Sequence, residues 1–173
     1  MYLKVDNLVI RQALKEDAKC LCKWWSDGKV MAHAGFPKGL KTDLNRLRAS
    51  LEKEENNEFY KRLIIEIDSK QVGEMMFRIE SNIAEIGIKI CDFTYQNKGY
   101  GTKALKLLIN YLFHQRFVEK IVLNTNLSNT RAQHVYESLG FKKLGIRENS
   151  WKNQLGELQS TVDYELVKGL DSY

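Results

Sequence analysis

Apolar positions along this chain recur every second residue in some stretches and every third or fourth in others, and the change of period marks out the elements. Residues 8–14 alternate in part, with Leu8 and Ile10 set against Asn7 and Arg11, and read as a first strand. Ala18, Leu21, Cys22 and Trp25 follow i, i+3, i+4, i+7 and predict a helix over 15–25, with Trp24 beside the stripe and expected to be exposed. Gly28, Gly35, Pro37 and Gly39 break any pattern over 26–40, which is expected to be a loop carrying His33 and Phe36. Thr42 as N-cap, with Asp43 in the first turn, opens a helix over 42–55 with Leu44, Leu47 and Leu51 along one side. Strands over 60–67 and 71–79 flank the turn Asp68-Ser69-Lys70, and Ser81-Asn82 turns the chain into a strand over 83–91. In that strand Ala84, Ile86, Ile88 and Ile90 face one way, and Glu85, Gly87, Lys89 and Cys91 the other.

The second half repeats a strand-helix rhythm. Ala104, Leu108 and Leu112 share one face, with Leu105 and Ile109 close beside it, so a helix runs to about 116. A strand over 121–126 is expected to lie parallel to the one at 83–91. A helix over 130–139 stops at Gly140. Strands over 141–147 and 162–167 close the chain as an antiparallel pair with a turn near 153–156, and the last few residues are expected to fray. The order β-α-α-β-β-β-α-β-α-β-β implies an α/β (α+β) fold, a mixed sheet with helices on both faces.

Composition narrows the class. The 173 residues suit a single domain, 1–173, with a real core, and 43% apolar with 28% charged content is ordinary for a soluble globular protein. No apolar run approaches the length of a membrane span, and the first residues do not read as a signal peptide, so no membrane partner is expected. Cys20, Cys22 and Cys91 form no C-x-x-C pair, and the first two point to different faces of the predicted helix, which fits a reducing cytoplasm. No His or carboxylate cluster has ligand spacing, so no metal is expected. The net charge of +5 comes from scattered Lys and Arg without interleaved aromatics, which argues against nucleic acid and suits a highly anionic small ligand.

Candidate chemistry concentrates where the strand at 83–91 becomes a helix. Gly99 and Gly101 sit at that junction, flanked by Lys98 and Lys103. A helix start leaves N–H groups unpartnered and carries partial positive charge, and glycine lets the backbone approach a ligand closely, so the stretch reads as a cradle for phosphate or pyrophosphate. A Walker A loop is excluded, because Gln96 stands at the first glycine position and Thr102 follows Gly101. Gly99, Gly101 and Ala104 satisfy G-x-G-x-x-A, but the next strand ends in Asn126-Leu127-Ser128-Asn129 rather than in a ribose-binding acid.

A third pattern, Q/R-x-x-G-x-G/A, is met by Gln96, Gly99 and Gly101, and a second, N-x-x-A-x-x-x-Y-x-x-x-G-F, by Asn129, Ala132, Tyr136, Gly140 and Phe141. Through these two motifs the chain resembles the GNAT superfamily of N-acetyltransferases. Ala84-Glu85-Ile86-Gly87 resembles its ribosomal-protein N-terminal acetyltransferase branch. The resemblance implies a GNAT-like, mostly antiparallel sheet and acetyl-CoA as co-substrate. It implies that Gln96, Asn97, Lys98, Gly99, Tyr100, Gly101 and Thr102 hold the pyrophosphate, that the backbone of Ile90 and Cys91 pairs with the pantetheine arm, and that Asn129, Arg131 and Ala132 complete the donor site. Tyr136 would protonate the departing thiolate, and Glu85, with Glu74 as alternative, would take the proton of the acceptor amine. Asn129, Ala132 and Tyr136 lie on one helical face, which suits that division of labour.

The acceptor implied is a primary amine: a protein N-terminus, a small amine or polyamine, or an aminoglycoside-like compound. The segments 26–40 and 42–55 would shape its pocket. A non-catalytic acyl-CoA-binding module of the same fold is the alternative. Monomer and homodimer both stay open. In one place the chain departs from its relatives, with one extra residue between Glu85-Ile86-Gly87 and the glycine loop, which predicts a bulge or an altered register near Cys91.

Overall fold

The computed structural model describes residues 1–169; the expected fraying of the last residues falls on 170–173 and lies outside them. Eight strands form one mixed sheet: β1 (Tyr2–Val5), β2 (Leu8–Gln12), β3 (Tyr60–Ile67), β4 (Lys70–Glu80), β5 (Ile83–Ile90), β6 (Lys120–Asn126), β7 (Lys142–Lys152) and β8 (Leu158–Val167). Their order is β1-β2-β3-β4-β5-β6-β8-β7, with β5 and β6 parallel and the pairs β1–β2, β2–β3, β3–β4, β4–β5 and β7–β8 antiparallel. The helices are α1 (Ala18–Trp25), α2 (Gly28–Met31), α3 (Leu44–Glu54), α4 (Tyr100–His114) and α5 (Thr130–Ser138). By packing the chain falls into two compact units, each built from separated segments. One comprises Met1–Ala13, Lys53–Val122 and the chain from Leu166; the other comprises Leu14–Glu52 and Leu123–Glu165.

The first unit is a meander closed by a crossover. Asp68 and Ser69, and again Ser81 and Asn82, all have positive φ, the pattern of two-residue primed turns whose twist matches that of the strands they join. The turn at Ser81 and Asn82 fixes an unbroken β4–β5 register from Gly73↔Ile90 to Glu80↔Ile83. Glu74, Met76 and Arg78 therefore share a face with Lys89, Gly87 and Glu85, while Met75 and Phe77 share the other with Ile88 and Ile86. The second face is the core. Phe77 meets Tyr111 of α4 with ring centroids 6.2 Å apart, and Ala104, Leu105, Leu108, Ile109 and Leu112 of that helix are buried.

Several sequence expectations need correction. The hairpin strand β1 precedes the first expected strand; its residues are mostly exposed, so burial never imposed a period-two pattern on them. Segment 26–40 is not all loop: α2 and a 3₁₀ turn over Ala32–Ala34 occupy it, too short to show helical periodicity. Trp24 is buried rather than exposed, joining Ala18 and Leu21, while Trp25 is half-buried. Asp43, not Thr42, caps α3, accepting the Arg46 N–H at 2.9 Å. No bulge interrupts β5. Past its end the chain makes a 3₁₀ turn over Phe93–Tyr95, capped by Asp92.

Candidate active site

In the first unit the glycine loop is built by backbone conformation. Asn97 and Gly99 both have positive φ, and Gly99 is the N-cap of α4 in the left-handed region. No side chain caps α4. The first hydrogen bond of the helix runs from Lys103 N–H to the Gly99 carbonyl, so the N–H groups of Tyr100, Gly101 and Thr102 open the helix ahead of it. Gly99 serves conformation, since a Cβ there would meet nothing within 4 Å but would sit at φ +81°. Gly101 is different. It is helical, and a Cβ would make only an ordinary 3.8 Å contact with Ile90. Glycine is a poorer helix former than alanine, by up to about 1 kcal/mol in a helix interior and less in this first turn, and no close contact in the fold asks for it here. Space kept open over uncapped N–H groups fits a pyrophosphate.

The loop is tied to β5 through Gln96, whose side-chain amide donates to the Ile90 carbonyl at 3.0 Å. Asp92 accepts from the Thr94 N–H and hydroxyl and pairs with Lys70 at 2.9 Å. The Thr94 hydroxyl first, then Lys70, holds the Asp92 carboxyl down at about 2. Tyr95 stacks at a tilt on Tyr100, 5.9 Å between centroids, and the Lys70 and Lys98 ammonium groups lie 5.3 and 5.9 Å from its ring centre.

The edge of β5 is partly open. Pairing with β6 covers Ile83, Ala84 and Glu85 against Lys120, Ile121 and Val122, while β5 runs on to Ile90. The Cys91 N–H donates to the Val72 carbonyl at 2.8 Å, toward β4. Backbone groups alternate along an antiparallel strand, so those of Ile86, Ile88 and Ile90 point away from β4. Of the two expected backbone positions, Ile90 therefore faces outward, with its carbonyl already accepting from Gln96, and the Cys91 N–H faces β4.

The two candidate bases share a sheet face but differ in surroundings. Glu74 is buried and meets Lys89 at 3.1 Å and Arg62 at 4.0 Å. The Glu85 side chain is 45% exposed and only reaches Arg78 at 4.0 Å.

In the second unit Asn129 is the N-cap of α5, its side chain accepting the Ala132 N–H at 3.3 Å. Arg131 is exposed on the first turn. Tyr136 is buried, edge-on to Phe141 at 6.0 Å and to Tyr164 at 5.8 Å. Burial pushes its phenol up to about 12. Among the described residues its hydroxyl has no hydrogen-bond partner. Tyr164 donates to Glu137 at 2.9 Å, which draws that carboxyl below its ordinary value; burial first, then this bond, raises the Tyr164 phenol to about 12.

Sequence reasoning missed the residues that shape the turn before α5. The Asn126 side-chain carbonyl accepts the N–H and hydroxyl of Ser128, and Gln133 donates to the Leu127 carbonyl at 2.8 Å. Their only sequence signal was a polar cluster ending an apolar strand.

Residues 7–142 match the family described as "Acetyltransferase (GNAT) domain", and the chain belongs to that family. It is 25% identical to an uncharacterized N-acetyltransferase, p20, of Bacillus licheniformis, over 96% of both chains. It is 34% identical to the spermidine N(1)-acetyltransferase of Escherichia coli strain K12 over 49% of this chain and 47% of that one. Its fold superposes on a ribosomal L7/L12 α-N-protein acetyltransferase solved with coenzyme A, with a TM-score of 0.85 at 16% identity over 96% of this chain and 98% of that one. The protein is thus an acetyltransferase of GNAT type.

Proposed function

We propose that this chain, as one catalytic domain over 1–173, moves the acetyl group of acetyl-CoA onto a primary amine by direct attack in a ternary complex. The observation that carries the reading is the start of α4, where uncapped N–H groups lie under a glycine the fold itself does not require. The loop from Gln96 to Thr102 binds the pyrophosphate, and the outward backbone groups of Ile86, Ile88 and Ile90 receive the pantetheine amides. Asn129, Arg131 and Ala132 complete the donor site. Tyr136 supplies the proton to the thiolate, and its raised phenol keeps that proton in place at neutral pH. Glu85 is the better base of the two carboxylates, because the Glu74 oxygens are already engaged by Lys89 and Arg62.

The acceptor class is a primary amine. A polyamine has the support of the spermidine-acetylating relative, and a protein N-terminus that of the Glu85-Ile86-Gly87 resemblance. The test is thiol release from acetyl-CoA across N-terminal peptides, polyamines, lysine-like amines and aminoglycosides. One class is expected to release thiol, and Tyr136→Phe is expected to lower kcat by roughly 10²–10⁴-fold. Binding of acetyl-CoA with no release for any amine would instead support a non-catalytic acyl-CoA-binding module.

A further inference from the structure

The turn that leads into α5 does more than cap a helix. In Asn126, which is buried, Nδ2 donates to Gln159 Oε1 at 2.8 Å, so Oδ1 is the atom turned to Ser128. That oxygen accepts from the Ser128 N–H at 3.0 Å and from the Ser128 hydroxyl at 2.9 Å. A serine hydroxyl has one proton, and here it is committed to Asn126. The Ser128 oxygen also lies 3.5 Å from His33 Nδ1, and it has only lone pairs left to offer. In the neutral imidazole this arrangement suits a proton on Nδ1, which leaves the lone pair on Nε2. His33 is exposed, and among the described residues Nε2 has no partner.

The platform under His33 is braced from the β7–β8 hairpin. Gly35, at φ +98°, lies so close to the Trp151 ring that a Cβ would collide with it. Gln154 N–H donates to the Gly35 carbonyl at 2.7 Å, its side-chain oxygen accepts the Lys38 N–H at 2.9 Å, and its amide donates to the Gly39 carbonyl at 3.0 Å. Trp151 is itself held by Thr161 at 3.1 Å. An exposed imidazole with a fixed tautomer on a braced loop is a prepared hydrogen-bond acceptor. It is tethered to the residue directly before the Asn129 cap, on the helix that carries Tyr136.

We propose that His33 is an acceptor-binding residue whose Nε2 lone pair takes a hydrogen bond from the N–H of the amine to be acetylated, with Ser128 and Asn126 as the positioning residues that fix its tautomer. The inference rests on the acetyl-transfer reading above and names the group that recognises the amine.

The experiment measures KM for amine and for acetyl-CoA separately, using whichever amine releases thiol. His33→Ala is expected to raise KM for the amine about tenfold, the loss of one hydrogen bond to a cation, and to leave KM for acetyl-CoA unchanged. Ser128→Ala, which keeps the imidazole but frees its tautomer, is expected to shift the same constant by about threefold. Long-range ¹H–¹⁵N spectra of the imidazoles are expected to show the Nδ1–H form for His33 in the native protein and a mixture in Ser128→Ala. An unchanged amine KM in His33→Ala overturns the inference, as does a rise in the acetyl-CoA KM, which would assign Nε2 to a pantetheine amide. An Nε2–H tautomer also overturns it. Absence of thiol release by the native protein with every amine defeats the acetyl-transfer reading and takes this inference with it, whereas the other failures leave that reading standing.

Discussion

At Gly101 the demands of fold and of function separate. Alanine is the better helix former by up to about 1 kcal/mol, and its methyl would meet only Ile90, at 3.8 Å. Gly101→Ala is therefore expected to leave the melting temperature unchanged or raised, while KM for acetyl-CoA rises at least about tenfold because the methyl stands where the phosphate must approach. Steady-state kinetics beside a thermal melt decide it, and a stable variant with unaltered KM removes the cradle. Gly99 is the contrast, since its left-handed φ of 81° is needed to start α4 at all. Both glycines were legible in the sequence, but their different reasons were not. Spacing shows where a glycine stands, and only neighbouring atoms show whether the backbone or a ligand requires it.

The connection between β5 and α4 is the element on which the candidate site turns. It contains a 3₁₀ turn held by Asp92, which bonds Thr94 and Lys70. The Asp92 carboxyl sits at about 2, below its ordinary 3.8. A depressed acid contributes stability above its unfolded pKa and loses it as the pH falls through the folded one. Asp92→Asn is thus expected to lower the melting temperature modestly at neutral pH, with the difference from native shrinking between 3.8 and about 2. Melts across acid pH check this, and a gap that persists at the lowest pH would assign the loss to packing. The sequence predicted a bulge or an altered register here. Counting residues reveals an insertion, but whether strand or connection absorbs it depends on the β4–β5 register. That register is locked by the two-residue turn at Ser81 and Asn82 and leaves no room for slippage.

On the scale of the whole molecule, a protein that binds acetyl-CoA in its folded state gains stability by mass action. At free ligand one hundred times Kd the gain is about 2.7 kcal/mol, or roughly 5–10 °C for a chain of this size. Coenzyme A is expected to raise the melting temperature by that order, while NADH and ATP at matched concentration leave it in place. A shift with NADH would revive the G-x-G-x-x-A reading of Gly99, Gly101 and Ala104. The modest positive charge of +5 is scattered along the chain and does not by itself select a ligand. The proposed cradle adds local positive field, from Lys98 and from the first turn of α4.

The sequence alone determined the strand-helix-strand unit around residues 83–126, the glycine loop within it and the helical face shared by Asn129, Ala132 and Tyr136. Each rests on local physics: hydrophobic period, a helix start, and a motif whose members share one helical face. Strands β3 to β6 and helices α4 and α5 were legible for the same reason, since their buried faces imposed the pattern. Tertiary structure decided what local pattern does not encode. It added β1, whose exposed residues carry no period, and placed Trp24 inward. It turned the Cys91 N–H toward β4, and it brought Ser128, whose hydroxyl donates to Asn126, within 3.5 Å of His33 Nδ1. His33 and Ser128 are 95 positions apart, and no periodicity spans that distance; only the folded chain brings one hydroxyl within reach of both an amide oxygen and an imidazole.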